Sequence, residues 1–184
     1  TLRINSTAPD FKAETTHGSS FLAPVQADGA VLFLQKAGRK IRELTFDFNS
    51  DSYQAPDIAV LAEHTTDGGI VDMDYQQEPD SIVWMTRSDG VLVGLTYARE
   101  NEVVGWHRHI TDGAFESVAA IPHPDGDRDQ VWAIVNRTIG GATKRYVEFM
   151  DTAGGYYGAM NVDCGLLYDG AATATRAARQ FVGA

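Results

Sequence analysis

The chain has 184 residues, 43% of them hydrophobic, which allows one folded domain with a real core and excludes wholesale disorder. No apolar run approaches the roughly 18 residues that a membrane span needs, and the single cysteine, Cys164, excludes an intrachain disulfide. The net charge of −10 argues against tight binding to a phosphate backbone, which requires clustered cations.

The first β-rich segment contains two short apolar runs, 31–36 and 41–46, separated by a charged turn with a glycine. Such runs bounded by turn residues are typical of strands in a hairpin. We therefore expect a hairpin unit over about 21–50.

The segment 55–65 is the best helix candidate in the chain. Pro56 can open a helix, and Ile58, Leu61 and Ala62 would give it one apolar side. The sequence therefore predicts a short helix near 56–64 that caps a sheet edge.

The clearest segment runs from 81 to 110 and predicts consecutive antiparallel strands. The turn Ser88–Gly90 is a strong hairpin signal, because glycine tolerates the positive φ that tight turns require. The predicted strands are Ile82–Arg87, Val91–Tyr97 and Val103–His109.

A further strand is predicted ahead of these, from Ile70 to Tyr75. Side chains alternate along a strand, so Val71, Met73 and Tyr75 are expected on one face and Asp72 and Asp74 on the other. The four strands form a unit over 69–111, which is the size of one propeller blade.

The hairpin plan recurs along the chain. Residues 31–46 align with 82–97 at a constant offset of 51, and a third unit over 114–150 has its turn at Gly140–Gly141. Repeats of this length favour propellers or stacked arrays. The expected fold class is all-β, with antiparallel meander blades in a partial or open β-propeller-like arrangement.

The predicted domains are a blade-repeat region over 1–152 and a Gly/Ala-rich extension over 153–184. The extension includes a possible last strand over 161–168 and then an Ala/Arg-rich end. The missing initiator Met and this ending lead us to expect a piece of a longer polypeptide.

Charge is unevenly placed. The stretch from Glu43 to Asp80 has ten acidic residues and no Lys or Arg, and a basic cluster directly precedes it. Solvated loops and strand faces are the simplest explanation, although an acidic surface past which DNA slides is an alternative. The basic cluster consists of Lys36, Arg39, Lys40 and Arg42.

The most metal-like feature is the pair His107 and His109. Residues i and i+2 share a strand face, so both imidazoles could meet one ion, with His64 or Glu116 as further ligands. The alternative is that both rings are hydrogen-bonded at a sheet edge while Trp106 and Arg108 face the other side. We favour this alternative and assign no metal residues.

Acidic residues suggest two other chemistries. Asp67, Asp72 and Asp74 could hold calcium, but they lack the spacing of a calcium loop. Paired carboxylates could also cleave sugars, although the sequence places no pair at the required separation. The remaining interpretation puts Asp72 and Asp74 along a solvated channel.

The three tryptophans, Trp84, Trp106 and Trp132, each lie within an apolar strand. They are therefore expected between blades and not on a sugar-stacking surface. Asn5 and Asn136 match the glycosylation pattern, but without a signal sequence we assign neither as a site.

Several segments in order resemble tail proteins of bacteriophages and prophages, of the tail-tube or nozzle type. The resemblance covers about 18–170 and rests on Val31–Leu44, Leu61–His64, Tyr75–Ser81, Leu95–Tyr97, Gly105–His109 and Val162–Leu166.

The resemblance implies a structural component of the virion tail, made in the bacterial cytoplasm and placed around the DNA exit channel. It implies other tail subunits and further copies of the chain as partners, at most loose proximity to DNA, and no enzyme activity or cofactor. The alternatives are a receptor- or glycan-binding propeller on the virion surface and, less favoured, a glycoside hydrolase.

Overall fold

The computed structural model describes residues 15–150, and the structural statements below refer to that part of the chain. It contains eleven strands, one single-turn α-helix and one 3-10 turn, with the strands in three antiparallel sheets. The all-β prediction is confirmed. None of the helical segments within 15–150 is long and apolar enough to cross a bilayer.

Sheet 1 is a four-stranded meander in chain order. The turn between its first two strands passes through Asp28 and Gly29, both with positive φ, which matches the twist of a tight hairpin. Its strands are β1 (Val25–Ala27), β2 (Ala30–Leu34), β3 (Ile41–Asp47) and β4 (Ser52–Gln54).

The helix predicted near 56–64 is wrong in extent. The Pro56 carbonyl accepts a hydrogen bond from the Glu43 amide, and the Ile58 amide donates to the Ile41 carbonyl, both at 3.1 Å. These bonds to β3 take backbone groups that a helix would need, so the segment stays extended and then turns. The only α-helical turn in the described residues is α1 (Glu63–Thr66).

Sheet 2 is also a four-stranded meander, and its strands lie where the sequence predicts them. The Gly90 amide closes the expected turn by donating to the Arg87 carbonyl at 3.0 Å. The strands are β5 (Ile70–Gln76), β6 (Ile82–Arg87), β7 (Leu92–Ala98) and β8 (Val103–His109), with a 3-10 turn over Arg99–Asn101.

One detail of β5 differs from its alternating pattern. Ile70 pairs with Arg87 and Asp72 with Thr86, so the register shifts at Val71. The expectation that Val71 shares the face of Met73 is wrong, because Val71 is 49% exposed while Met73 is buried. A bulge of this kind re-aims one side chain without ending the strand.

Sheet 3 has three strands, with β10 in the centre. Gly140 and Gly141 both have positive φ and form the two-residue turn between β10 and β11. The strands are β9 (Ala114–Pro122), β10 (Asp129–Ile139) and β11 (Ala142–Phe149).

Sheet 2 lies between the other two sheets and is buried on both faces. One face packs Val83, Met85 and Leu95 against Leu32 and Leu34 of sheet 1. The opposite face forms a smaller core with sheet 3, made of Trp84, Leu92, Val118 and Val131. Strand β5 contacts both β1 and β9, so the first strands of the three sheets lie side by side.

The sheets span 25–54, 70–109 and 114–149, close to the three predicted units. The predicted extension from residue 153 and the possible strand over 161–168 lie outside the described residues, as do Asn5 and Cys164. The proposed domain division therefore stays a prediction.

Candidate functional site

Two aspartates join sheet 2 to the edge of sheet 3. The Asp72 carboxylate accepts hydrogen bonds from the Ser117 hydroxyl at 2.7 Å and the Val118 amide at 3.1 Å. Asp74 accepts from the Ala120 amide at 2.8 Å. These amides lie on β9, the edge strand of sheet 3, so side chains take the place of a neighbouring strand.

A third aspartate connects the same two sheets from the other side. Asp129, the first residue of β10, accepts from the Gln77 and Glu78 amides at 2.7 and 3.1 Å. The interpretation that Asp72 and Asp74 line a solvated channel is wrong, because their carboxylates are engaged between sheets. Part of the acidic excess is therefore structural.

The boundary between sheets 1 and 2 also uses acidic groups. Glu43 forms an ion pair with Arg99 at 2.7 Å, and the Arg99 amide donates to Asp28 at 2.7 Å. Burial, together with the nearby Glu43 charge, raises the pKa of Tyr97 to about 12. The phenol of Tyr97 therefore stays neutral inside this boundary at ordinary pH.

Two of the four residues in the basic cluster form ion pairs with the acidic stretch that follows it in the chain. Arg39 pairs with Asp67, and Lys40 lies 3.1 Å from Asp57. Arg42 bonds instead to Gln35 and the Ala55 carbonyl. The three aspartates considered for calcium therefore have different partners. Asp67 forms an ion pair with Arg39, while Asp72 and Asp74 accept hydrogen bonds from β9.

The histidine pair lies on one face of the edge strand β8. His107 Nδ1 and His109 Nε2 are hydrogen-bonded at 2.9 Å, and Trp84 packs against both rings. Trp106 faces the other side, where its Nε1 donates to the Ile58 carbonyl. The predicted hydrogen-bonded pair at a sheet edge is confirmed.

The further ligands considered for this pair lie elsewhere. Glu116 accepts from Asn136 at 3.3 Å and from Arg145 at 2.5 Å, which holds the pKa of Glu116 below its usual range. His64 belongs to the helical turn α1. Gly94 lies opposite His107, and a Cβ at Gly94 would be 2.0 Å from the His107 ring. The lack of a side chain at Gly94 therefore leaves the space that the His107 imidazole fills.

Acid is expected to weaken the fold through these two rings. Burial lowers the pKa of His107 and His109, and the charge of His107 lowers that of His109 further. The unfolded chain therefore binds protons first, so stability falls as pH drops from the ordinary value of 6.5 towards the lowered pKa values. Urea unfolding in steps from about pH 7 to about pH 5 measures this slope.

The double variant His107→Gln with His109→Gln is the matched comparison for this slope. It should unfold with a flatter pH dependence over the same window, since neither side chain titrates. An unchanged slope would show that other groups cause the acid sensitivity.

The tryptophans occupy three different environments. Trp84 is buried between sheets 2 and 3 and donates to Gln76 Oε1 at 2.8 Å, which confirms its predicted place between units. Trp106 packs against the core shared with sheet 1. Trp132 contradicts the prediction, because it lies on the side of sheet 3 away from sheet 2, where its ring contacts the Phe149 ring at a tilt of 42°.

Sequence reasoning missed a small cluster in the turn between β9 and β10. His123, Asp125 and Asp127 bring one ligand atom each within 4.8 Å of one another, which their alternate spacing could have suggested. Arg128 donates to both oxygens of Asp127 and lies 3.2 Å from His123 Nε2. Asp127, one of the three candidate ligands, is therefore already paired with a cation.

Three aromatic side chains cluster at the β3–β4 turn, a feature that the sequence did not suggest. We call this group the aromatic tip, and it consists of Phe46, Phe48 and Tyr53. The Phe46 ring contacts the other two edge-on at 5.1 and 5.2 Å, and Phe48 is 88% exposed. An open groove of about 560 Å³ begins at Tyr53 and is lined mainly by polar side chains, including His17 and Gln54. No tryptophan takes part.

Another exposed apolar surface is the side of sheet 3 that faces away from sheet 2, which we call the outer face. Val147 is 69% exposed and Phe149 49%, and Ile134 lies beside Val147 in the strand pairing. Among the described strands, β11 is an edge strand of this sheet, with no strand on its outer side. Contiguous exposed apolar side chains usually mark interaction surfaces.

Searches against models of known protein families and against curated protein sequences found no match to this chain.

Proposed function

We propose that the chain is a structural subunit of a phage or prophage tail that acts through protein–protein assembly and not through catalysis. The observation that carries the assembly role is the outer face of sheet 3, where apolar side chains and a free strand edge meet. The phage context comes from the segment resemblance over about 18–170.

The architecture supports a propeller-like stack as part of this proposal. Three consecutive meander sheets pack face to face, and their first strands β1, β5 and β9 lie together, as in propeller blades. Within residues 15–150, each outer sheet of this stack has a neighbouring sheet on one side only. Other tail subunits or further copies would supply the second neighbour of each in the virion.

The chemistry of the described residues supports a non-catalytic role. The neighbouring carboxylates on β5, Asp72 and Asp74, are engaged with backbone amides of β9. The acidic surface fits loose proximity to DNA at most, because Arg39 and Lys40 of the basic cluster are paired with Asp67 and Asp57.

Purified particles provide the test. The gene is expressed in its bacterial host, virions are banded by density, and their proteins are quantified by mass spectrometry. The proposal expects the chain at a fixed number of copies per particle, and its deletion should yield particles with defective tails. A chain that is abundant in the cell but missing from banded virions would contradict it.

Glycan binding is the second candidate, and the aromatic tip is what favours it. Exposed rings beside a groove with polar lining are the elements of a sugar site. A glycan array should then show binding that is lost in Tyr53→Ala and kept in Trp132→Ala. Binding that depends on Trp132 instead would move the site to sheet 3.

A further inference from the structure

Within residues 15–150, one edge of sheet 3 is closed by contacts with sheet 2, and the other edge has no neighbouring strand. At β9 the aspartates of sheet 2 occupy the edge amides of Val118 and Ala120. At β11 the side chains are exposed along most of the strand, and Val147 and Phe149 are apolar. An open, partly apolar edge strand is a template for a further strand.

The backbone hydrogen bonds show which groups of β11 face outwards. The Met150 amide donates to the Val131 carbonyl of β10, and Ile139 and Ala142 close the hairpin. Residues alternate along an antiparallel strand, so even-numbered residues bond to β10. The amides and carbonyls of Thr143, Arg145, Val147 and Phe149 therefore point to the open edge.

We propose that β11 pairs antiparallel with β11 of a second copy of this chain, giving a six-stranded sheet that crosses the dimer. This rests on the proposed assembly role and deepens it by naming the partner and the strand. Because hydrogen-bonded pairs must join outward-facing residues, only one register pairs all four of these residues in each strand. In it Arg145 pairs with Val147 of the partner subunit, and Tyr146 lies on the two-fold axis.

Charge complementarity supports this register. It places Lys144 directly opposite Glu148 of the partner subunit, twice by symmetry, in a closely spaced pair without backbone bonds. Cationic residues on an edge normally discourage strand addition. Here the lysine meets the Glu148 carboxylate of the partner subunit, which is paired with Arg137 of its own chain and is still 28% exposed. Val147 of each copy becomes a diagonal neighbour across the joint, within side-chain reach.

Disulfide trapping tests the register. In a Cys164→Ser background, Tyr146→Cys should form a covalent dimer under mild oxidation, because a closely spaced pair sets the Cα atoms about 4.5 Å apart, within disulfide range. Lys144→Cys is the matched control. Its two copies lie four residues apart along the strands, about 14 Å, and should stay uncrosslinked. Crosslinking of both variants, or of Lys144→Cys alone, would overturn the proposal.

Sedimentation of the full chain provides a second measurement that uses no cysteine. The unmodified chain should dimerise reversibly, and Lys144→Glu should weaken the dimer roughly five- to tenfold. Val147→Pro should abolish it, since proline removes an outward amide and leaves the bonds to β10 in place. A chain that is monomeric at every concentration overturns the proposal.

The tail role and the β11 pairing can be refuted independently of each other. Virions that contain the chain while Tyr146→Cys gives no dimer would refute the β11 pairing and leave the tail role intact. A crosslinked dimer of a chain that is missing from virions would do the reverse.

Discussion

Replacing Arg137 with methionine is expected to lower the free energy of unfolding by about 3–5 kcal/mol, which is the usual cost of breaking a buried ion pair from one side. Arg137 is only 4% exposed. Its guanidinium donates to both oxygens of Glu148 at 2.5 and 2.8 Å. It also donates to the Thr111 hydroxyl and the Asp112 carbonyl. One side chain thus holds β10, β11 and the connection from sheet 2.

Arg145→Met is the matched control for this measurement. Arg145 lies on β11 and also pairs with a glutamate, Glu116, but its side chain is 70% exposed. Exposed pairs contribute little because water screens them. Guanidinium unfolding should therefore separate the two variants clearly. Equal losses would mean that the Arg137 network adds nothing beyond an ordinary surface pair.

The double variant Asp72→Ala with Asp74→Ala is expected to cost about 2–4 kcal/mol, because it leaves the Ser117 hydroxyl and the Val118 and Ala120 amides without acceptors. The variant should lower the global stability and also loosen β9 locally. Hydrogen exchange at Val118 and Ala120 should speed up more than exchange in the centre of sheet 2. Thermal or urea unfolding gives the global value.

Asp80→Ala removes an exposed carboxylate from the same acidic stretch and serves as the control. It lowers the negative charge without touching β9. If Asp80→Ala and the double variant changed stability equally, net charge and not the inter-sheet bonds would be responsible. If β9 amides kept their exchange rates in the double variant, the edge would be closed by other contacts.

Much of sheet 2 could be predicted because its signals are local. Strands β6 to β8 alternate with short turns, and Gly90 fixes one turn through a backbone conformation that few other residues adopt. The histidine pair follows from the same alternation, since neighbours at i and i+2 must share a face. Both the strands of sheet 2 and the histidine pair can therefore be predicted from neighbouring residues alone.

The wrong predictions concern segments whose structure depends on contacts with residues that are distant in the sequence. Residues 56–58 have the residues for a helix but bond to β3 instead. Asp72 and Asp74 look solvated in the sequence, because their partners on β9 are 45 and 46 residues away. The outer face of sheet 3 could not be recognised for a similar reason, since apolar alternation does not say which side of a sheet stays uncovered.

The aspartates between sheets 2 and 3 also bear on how the chain is made. Protein synthesis runs from the amino terminus, and units that emerge first can fold first. The acceptors on β5 are therefore in place before β9 leaves the ribosome. The nascent edge of β9 meets its carboxylates as it emerges, which shortens the time in which an unpaired strand could capture another chain.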